Sequence, residues 1–341
     1  MPDFDIYEKI YKYLIPFIPE SIVEKSGGYF FEILSKFSSS PKLNAKNPLF
    51  IGDLRIDLPV GLSAGWADTV QKMVNIYELG AGFVTSKTIT LHPRKGNPRP
   101  RIIRGPNYLI NSMGLPNPGV LRWKKQLIDH PPNFPWIQSI YGENFEEYAK
   151  IIEHLESHVH VFEINFSCPN LAHDIPDIPL AVKQIKEISS ITKKPIIVKL
   201  SPQNTPKGNL EIIKKTHGYI TGVTLINTVP VPAQTLGNPR KRGGLSGSIV
   251  FNELIRHLEI VRKYFPSQEE LIIIATGGID SEEKAYFIAS KFDVAISTLT
   301  GFLMKGPKIF YLLSKGYLKA EEVKNPFRIK VEKKQSIETS N

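Results

Sequence analysis

Eight short β-rich apolar runs constrain this chain more than any other feature. Each is followed by a polar or glycine-containing turn and then a helical stretch. The runs lie at 59–64, 83–88, 136–141, 161–166, 196–200, 222–227, 271–276 and 294–298. A strand that is apolar along its whole length is buried on both faces, as in a parallel sheet covered by helices. Eight such strands close a (β/α)8 TIM barrel. The pattern predicts that α/β fold, with a doubly wound parallel sheet as the structural alternative. At 341 residues the chain is long enough to form such a barrel as one unit.

Where the runs end, the residue types change. Ser63-Ala64-Gly65, Ser86-Lys87-Thr88, Asn165 through Asn170, Lys199, Asn227-Thr228, Gly277-Gly278 and Leu299-Thr300-Gly301 all fall there. The strand C-termini of a barrel share one face, where active sites are built. Residues distant in sequence are thus expected to converge on one pocket.

The segment Asn165-Phe166-Ser167-Cys168-Pro169-Asn170 places a thiol between two amides. Amides can both donate to and accept from a planar polar ring. A thiol held at the ring edge can remove a carbon-bound proton if its pKa suits. The same six residues equally describe an ordinary turn rich in asparagine and proline. Three glycine-bearing segments, Gly243-Gly244-Leu245-Ser246-Gly247, Thr276-Gly277-Gly278 and Leu299-Thr300-Gly301, read as turns near the ends of late strands. Glycine lets backbone N–H groups approach a phosphate, and the loops after strands seven and eight are the usual barrel phosphate site. Lys199 closes an apolar strand, where an ammonium needs an anion or a route to the mouth, and Lys87 raises the same question. Asn111 through Asn117 reads as a polar, flexible loop able to offer backbone donors and an amide to a carboxylate.

Composition narrows the function class. The net charge of +10 comes from 43 basic and 33 acidic residues that are scattered rather than lined up on one helix, so no nucleic-acid partner is expected. The single cysteine cannot form an intrachain disulfide and suits a reducing compartment. No apolar run is long enough to span a bilayer, and the first residues lack signal-peptide character. A cytoplasmic protein is expected, without a metal site. Residues 1–45 form a separate unit: Ile6, Tyr7, Ile10, Tyr11, Leu14 and Ile15, then Tyr29, Phe30, Ile33 and Leu34, follow helical spacing. This N-terminal amphipathic helical extension reads as a lid packed on one end of the barrel. Its sharper reading is a surface that touches a membrane from the periphery. The barrel is expected over 46–320 and a polar tail over 321–341.

Together, Asn165–Asn170, the 110–117 loop, Gly96-Asn97-Pro98-Arg99-Pro100-Arg101 and Gly-Gly-Leu-Ser-Gly at 243–247 resemble the dihydroorotate dehydrogenases, from about 48 to 315. The resemblance implies an FMN-dependent barrel oxidising dihydroorotate to orotate in pyrimidine biosynthesis. It implies that Cys168 is the base for the C5 proton while hydride leaves C6 for the flavin. By the same resemblance, Asn111, Asn165, Asn170, Asn227 and Thr228 hold the substrate ring. Met113, Gly114, Leu115 and Lys87 hold its carboxylate. Lys199 lies at the pyrimidine edge of the flavin, and Ala64, Gly65, Lys87, Thr88, Asn165, Gly244, Gly247, Gly277, Gly278, Leu299 and Thr300 contact FMN. Cysteine as base, Lys87 and the Asn111 loop resemble the soluble class 1 branch. The N-terminal extension resembles the membrane-associated class 2 branch, whose lysine after Ala-Ala-Gly is replaced here by Asp68. The resemblance thus leaves three electron acceptors open: a quinone, fumarate, or NAD through an iron–sulfur partner subunit. A homo-oligomer is expected.

Two other enzymes share parts of the pattern. A dihydropyrimidine dehydrogenase-like reductase of uracil or thymine has the Asn-x-Ser-Cys-Pro segment, but its substrates carry no carboxylate to engage Lys87. An RNA-binding dihydrouridine synthase-like flavoenzyme would use the positive charge, yet no separate basic domain follows the barrel. A non-catalytic barrel would have no use for the base, amides and lysines.

Overall fold

The computed structural model describes residues 43–166, 177–238 and 241–324, together with 5–13, 18, 22, 30–33 and 35. Helix α1 (Asp5–Tyr13) and a hairpin of β1 (Leu49–Ile51) and β2 (Leu54–Ile56) precede the first β-α-β unit, β3 (Val60–Leu62), α2 (Val70–Glu78) and β4 (Phe83–Thr85). An excursion carrying β5 (Ile102–Arg104) and β6 (Tyr108–Asn111) follows, and α3 (Val120–Asp129) returns the chain to β7 (Trp136–Ile140). Alternation continues through α4 (Phe145–Leu155), β8 (Phe162–Asn165), α5 (Ile178–Ser190), β9 (Ile196–Lys199), α6 (Thr205–Thr216) and β10 (Gly222–Leu225). A second excursion supplies β11 (Val229–Pro232) and β12 (Arg242–Gly247). Then come α7 (Phe251–Tyr264), β13 (Ile272–Thr276), α8 (Glu282–Lys291), β14 (Ala295–Thr298), α9 (Thr300–Lys305) and α10 (Lys308–Lys324).

All eight apolar runs are barrel strands. They pair in parallel as β3-β4-β7-β8-β9-β10-β13-β14, and β14 closes on β3 through Ile296↔Val60, Ser297↔Gly61 and Thr298↔Leu62. Closure rules out the doubly wound sheet. Along each strand alternate side chains face the helices or the barrel axis. In β8, Phe162 and Ile164 join the core between barrel and helices, while Glu163 points inward to receive the Thr224 hydroxyl at 2.7 Å.

The inside is layered. At the N-terminal end the hairpin inserts Ile51 and Ile56 among Phe83, Ile137, Val161, Ile197, Ile272 and Ile274, forming a second, separate apolar core. Gly52 turns this hairpin at φ +62, and a side chain there would strike Pro195. Above that plug lies a buried polar layer of Ser63, Ser139, Glu163, Thr224, Thr276 and Ser297. Helices start where side chains cap them: Thr69, Asn144, Asp177 and Ser281 accept the N–H groups of Lys72, Glu147, Leu180 and Lys284.

The two excursions meet above the strand C-termini in a four-stranded antiparallel sheet of order β11-β12-β6-β5. This corrects two expectations. Gly243 to Gly247 is strand β12 of that sheet rather than a turn closing a barrel strand, and Asn111 ends strand β6 rather than opening a flexible loop. Each pairs with the other, Gly244↔Asn111 and Leu245↔Ile110. The last helix also runs past the expected boundary at 320, to Lys324, and Glu321 there accepts the N–H groups of Lys46 (3.0 Å) and Asn47 (3.2 Å).

Helix α1 packs at the same end. The Tyr7 hydroxyl donates to the Leu303 carbonyl at 2.8 Å, and Tyr7 meets Phe30 and Phe31. Phe31 in turn packs on Trp66, just beyond β3, and on Phe302 of α9 at 4.6 Å between ring centres. Among the described residues no helix is long and apolar enough to cross a membrane.

Candidate active site

At the mouth of the barrel the ends of four strands share one hydrogen-bond chain. Asn165 closes β8 because an inward-facing position there alternates with Ile164, and its amide donates to Thr88 Oγ1 at 3.1 Å. Thr88 in turn lies 2.9 Å from Ser139 Oγ of β7. The Asn227 amide, just beyond β10, reaches Asn165 Oδ1 at 3.5 Å, and Asn227 Oδ1 accepts the Thr228 N–H at 2.8 Å. Lys199 is buried beside them, because its register partners are Asn165 on one side and Thr224 on the other.

Glu163 lies one inward position below Asn165 and is only 2% exposed, and among the described residues its Oε1 has no hydrogen-bond partner. A buried carboxyl with one idle oxygen is costly. It sits in the barrel interior, where inward-facing Lys199 brings a positive charge. Sequence reasoning passed over Glu163 because it stands inside an otherwise apolar run.

Lys87 also reaches the mouth, and its partner was missed. Asp68 Oδ2 lies 3.6 Å from Lys87 Nζ while Asp68 Oδ1 accepts from Lys72 Nζ at 2.6 Å. Burial pushes the Asp68 carboxyl up, but the ammonium groups of Lys87 and Lys72 outweigh it and hold it below the usual carboxylate range. The residue noticed in sequence only as a departure from class 2 is therefore the counter-ion of Lys87.

The loop after β6 is shaped by a second tier of side chains. Gly114 and Leu115 both take positive φ, +71 and +55. The Asn97 N–H donates to the Met113 carbonyl at 2.9 Å, its amide donates to the Ser112 carbonyl at 3.1 Å, and Arg101 ties down the Asn97 and Lys95 carbonyls. Buried Asn117 accepts the Thr90 and Gly119 N–H groups and donates to the Leu115 carbonyl at 2.8 Å. The Asn111 amide donates to the Gly244 carbonyl at 3.2 Å, linking this loop to the glycine strand. Asn97, Arg101 and Asn117 brace the loop; the Gly-Asn-Pro-Arg-Pro-Arg run is the sequence signal for the first two, and the Asn111–Asn117 segment for the third.

The glycine segments converge opposite the amides. Gly247, Gly277 and Gly278 take φ of +100, +133 and +73. A side chain at Gly278 would stand 2.8 Å from the Gly247 carbonyl and the Phe251 nitrogen, so the two turns can approach only with bare backbone. Thr300 Oγ1 donates to Ser246 Oγ at 2.9 Å, joining α9 to β12. Gly65, next to Ala64, takes φ +135, which L side chains rarely adopt, and a side chain there would push on the end of Leu299. Bare backbone on one side and a row of amides, hydroxyls and two lysines on the other suit a flat polar ring carrying a phosphate. Of the expected residues, Cys168 and Asn170 lie outside the described residues. Every other one lies at this end of the barrel, on the loops and strands that ring its mouth. Among the described residues no group of three His, Cys, Asp or Glu side chains is placed to hold a metal ion.

Comparison with known proteins agrees with this architecture. A sequence profile described as "Dihydroorotate dehydrogenase" matches residues 50–319. The chain is 33% identical over 281 residues to "Dihydroorotate dehydrogenase B (NAD(+)), catalytic subunit" of Pyrococcus horikoshii, an alignment covering 79% of this chain and 91% of the relative. The protein of the same name from Thermococcus kodakarensis is 30% identical over 298 residues, covering 82% of this chain and 97% of the relative. In fold, the chain is similar to the crystal structure of DHODH from Eimeria tenella in complex with ferulenol. The TM-score is 0.76 at 20% identity, covering 91% of this chain and 94% of that one. The chain belongs to the dihydroorotate dehydrogenase family.

Proposed function

We propose that this chain oxidises dihydroorotate to orotate in pyrimidine biosynthesis, with FMN across the barrel mouth and Cys168 as the base. The observation that carries this reading is the Thr88–Asn165–Asn227 hydrogen-bond chain flanked by Lys87 and Lys199, on one barrel mouth. As a member of its family the chain is an oxidoreductase of the dihydroorotate dehydrogenase type.

Each group on that mouth has a matching task. Asn165 and Asn227, with Asn111, Asn170 and Thr228, offer donors and acceptors to the substrate's ring amides. Lys87 and the backbone of Met113, Gly114 and Leu115 face the substrate carboxylate, and Asp68 holds the Lys87 ammonium in place until that carboxylate arrives. Cys168 follows Asn165 by three residues, and as thiolate it would take the C5 proton.

The residues present fit FMN. Gly247, Gly277, Gly278 and Thr300 would hold its phosphate, Ala64, Gly65, Gly244 and Leu299 would lie along it, and Thr88, Asn165 and Lys199 would meet its polar ring edge. FMN supplies a two-electron acceptor for the hydride leaving C6. Lys199 would place its positive charge where that transfer leaves negative charge.

For the electron acceptor we favour NAD reached through a partner subunit, because relatives at 30–33% identity are named NAD-dependent catalytic subunits. A second reading, direct reduction of a quinone, is favoured by one observation. The aromatic group Tyr7, Phe30, Phe31, Trp66 and Phe302 packs beside the mouth, while Tyr13, Phe30 and Ile33 keep apolar surface exposed. Fumarate is the third candidate.

Purified protein with dihydroorotate, kept free of oxygen, tests the chemistry. Bleaching of a visible flavin band is expected, and an unbleached band would sink the reading. Reoxidation by NAD only in the presence of a partner subunit, by a quinone analogue, or by fumarate separates the acceptors.

A further inference from the structure

Behind the two glycine turns lies a lysine that the proposed chemistry does not use. Lys284, in the first turn of α8, sends its ammonium back toward the mouth. There it donates to the Gly278 carbonyl at 3.0 Å, to Asp280 Oδ1 at 2.7 Å and to Ser248 Oγ. Ser248 directly follows Gly247, so one ammonium joins the turn after β12 to the turn after β13. An ordinary surface ion pair one helical turn apart would reach Asp280 alone and contribute little. Here the side chain is 23% exposed, crosses the face of Phe251 at 4.9 Å and reaches Ser248, 36 residues away in the chain.

The donor count decides the role. An ammonium has three protons, and all three have acceptors within the protein. Lys284 is therefore committed to the backbone behind the cradle. Holding the Gly278 carbonyl toward the ammonium turns the next N–H, across a trans peptide, to the opposite side. Lys305 adds a second ammonium, donating to the Asp280 carbonyl at 2.7 Å. Lys284 and Lys305 thus both bind Asp280, behind two turns of bare, positive-φ backbone.

We infer that Lys284 is the positioning residue that locks the Gly247–Ser248 and Gly277–Gly278 turns into a phosphate cradle, making the site select a phosphorylated flavin over an unphosphorylated one. The inference rests on the FMN reading above. The experiment strips flavin from the full-length protein and titrates the apoprotein with FMN and, separately, riboflavin, following quenching of flavin fluorescence. Lys284→Met keeps the apolar stem and removes the charge and its three bonds. Its Kd for FMN is expected to rise about tenfold or more while that for riboflavin stays within about twofold. Ser248→Ala cuts only the bond to the Gly247 turn, and it is expected to shift the ratio of the two constants in the same direction by less. It also serves if Lys284→Met fails to fold. Inorganic phosphate is expected to raise the melting temperature of the wild-type apoprotein more than that of either variant. Equal weakening of both flavins, or an unchanged ratio, would overturn the inference alone. A wild type that binds neither flavin would overturn the cofactor reading and the inference with it.

Discussion

Thr88, Asn165 and Asn227 are held in one hydrogen-bond chain, with Asn165 bonded to each of the other two. Such mutual holding fixes side-chain orientation before a substrate arrives, which is where positioned groups gain their advantage. Substitutions of the groups proposed to face the substrate should therefore be readable individually. Cys168→Ala is expected to retain flavin and fold but lose most turnover, and Cys168→Ser to regain part of it at higher pH. Steady-state rates across pH check this, and wild-type rates in the alanine variant would remove Cys168 from the mechanism. Lys87→Met is expected to raise KM for dihydroorotate about 10- to 100-fold, the worth of a charge-assisted bond to a carboxylate. An unchanged KM would reassign Lys87 to Asp68 alone. The pairing with Asp68 could not be read from the chain, because it depends on the turn after β3 lying beside the end of β4.

The barrel strands were legible because burial on both faces leaves them apolar throughout, whichever way their side chains point. The sheet above the mouth was not legible, and its composition explains why. Strand β11 contains Pro230 and Pro232, which cannot donate to a ladder, but β11 is an edge strand and needs donors on one side only. Strand β12 contains three glycines and reads as a turn, yet a side chain at Gly243 would collide with Ile110 of β6. The glycines there permit close strand approach as well as bare backbone at the mouth. Gly278→Ala is expected to cost about 1–3 kcal/mol of stability through its positive φ, with flavin binding weakened in parallel. Thermal melts with and without FMN report both effects. Helix α7 carries a different sensitivity. His257 is fully buried, Nδ1 donates to the Glu253 carbonyl at 2.9 Å, Nε2 has no hydrogen-bond partner among the described residues, and burial holds the ring's pKa below the usual value of 6.5. The unfolded chain takes up that proton as pH falls below about 6.5 while the folded chain resists, so stability should drop through the weakly acid range. His257→Leu is expected to flatten that part of the melting-temperature profile between pH 7 and 5, and an unaltered slope would contradict the assignment.

Across the whole molecule, the two ends of the barrel have separate duties. The hairpin plugs one end with a core of its own, far from the amides, lysines and glycine turns at the other. Ile51→Ala, removing a fully buried side chain from that plug, is expected to lower stability by about 2–5 kcal/mol while leaving kcat/KM within about twofold. Denaturant melts and steady-state kinetics measure the two independently, and a large kinetic loss would show that the ends are coupled. The sheet over the mouth acts in the opposite sense. Its strands β6 and β12 come from excursions after β4 and β10, so the early and late parts of the chain are hydrogen-bonded to each other above the barrel as well as around it. A cut between the early and late parts would leave one fragment with β6 and its loop, the other with the glycine strand, and each with an unpaired sheet edge. Loop grafts into this scaffold would accordingly have to be exchanged in matched pairs.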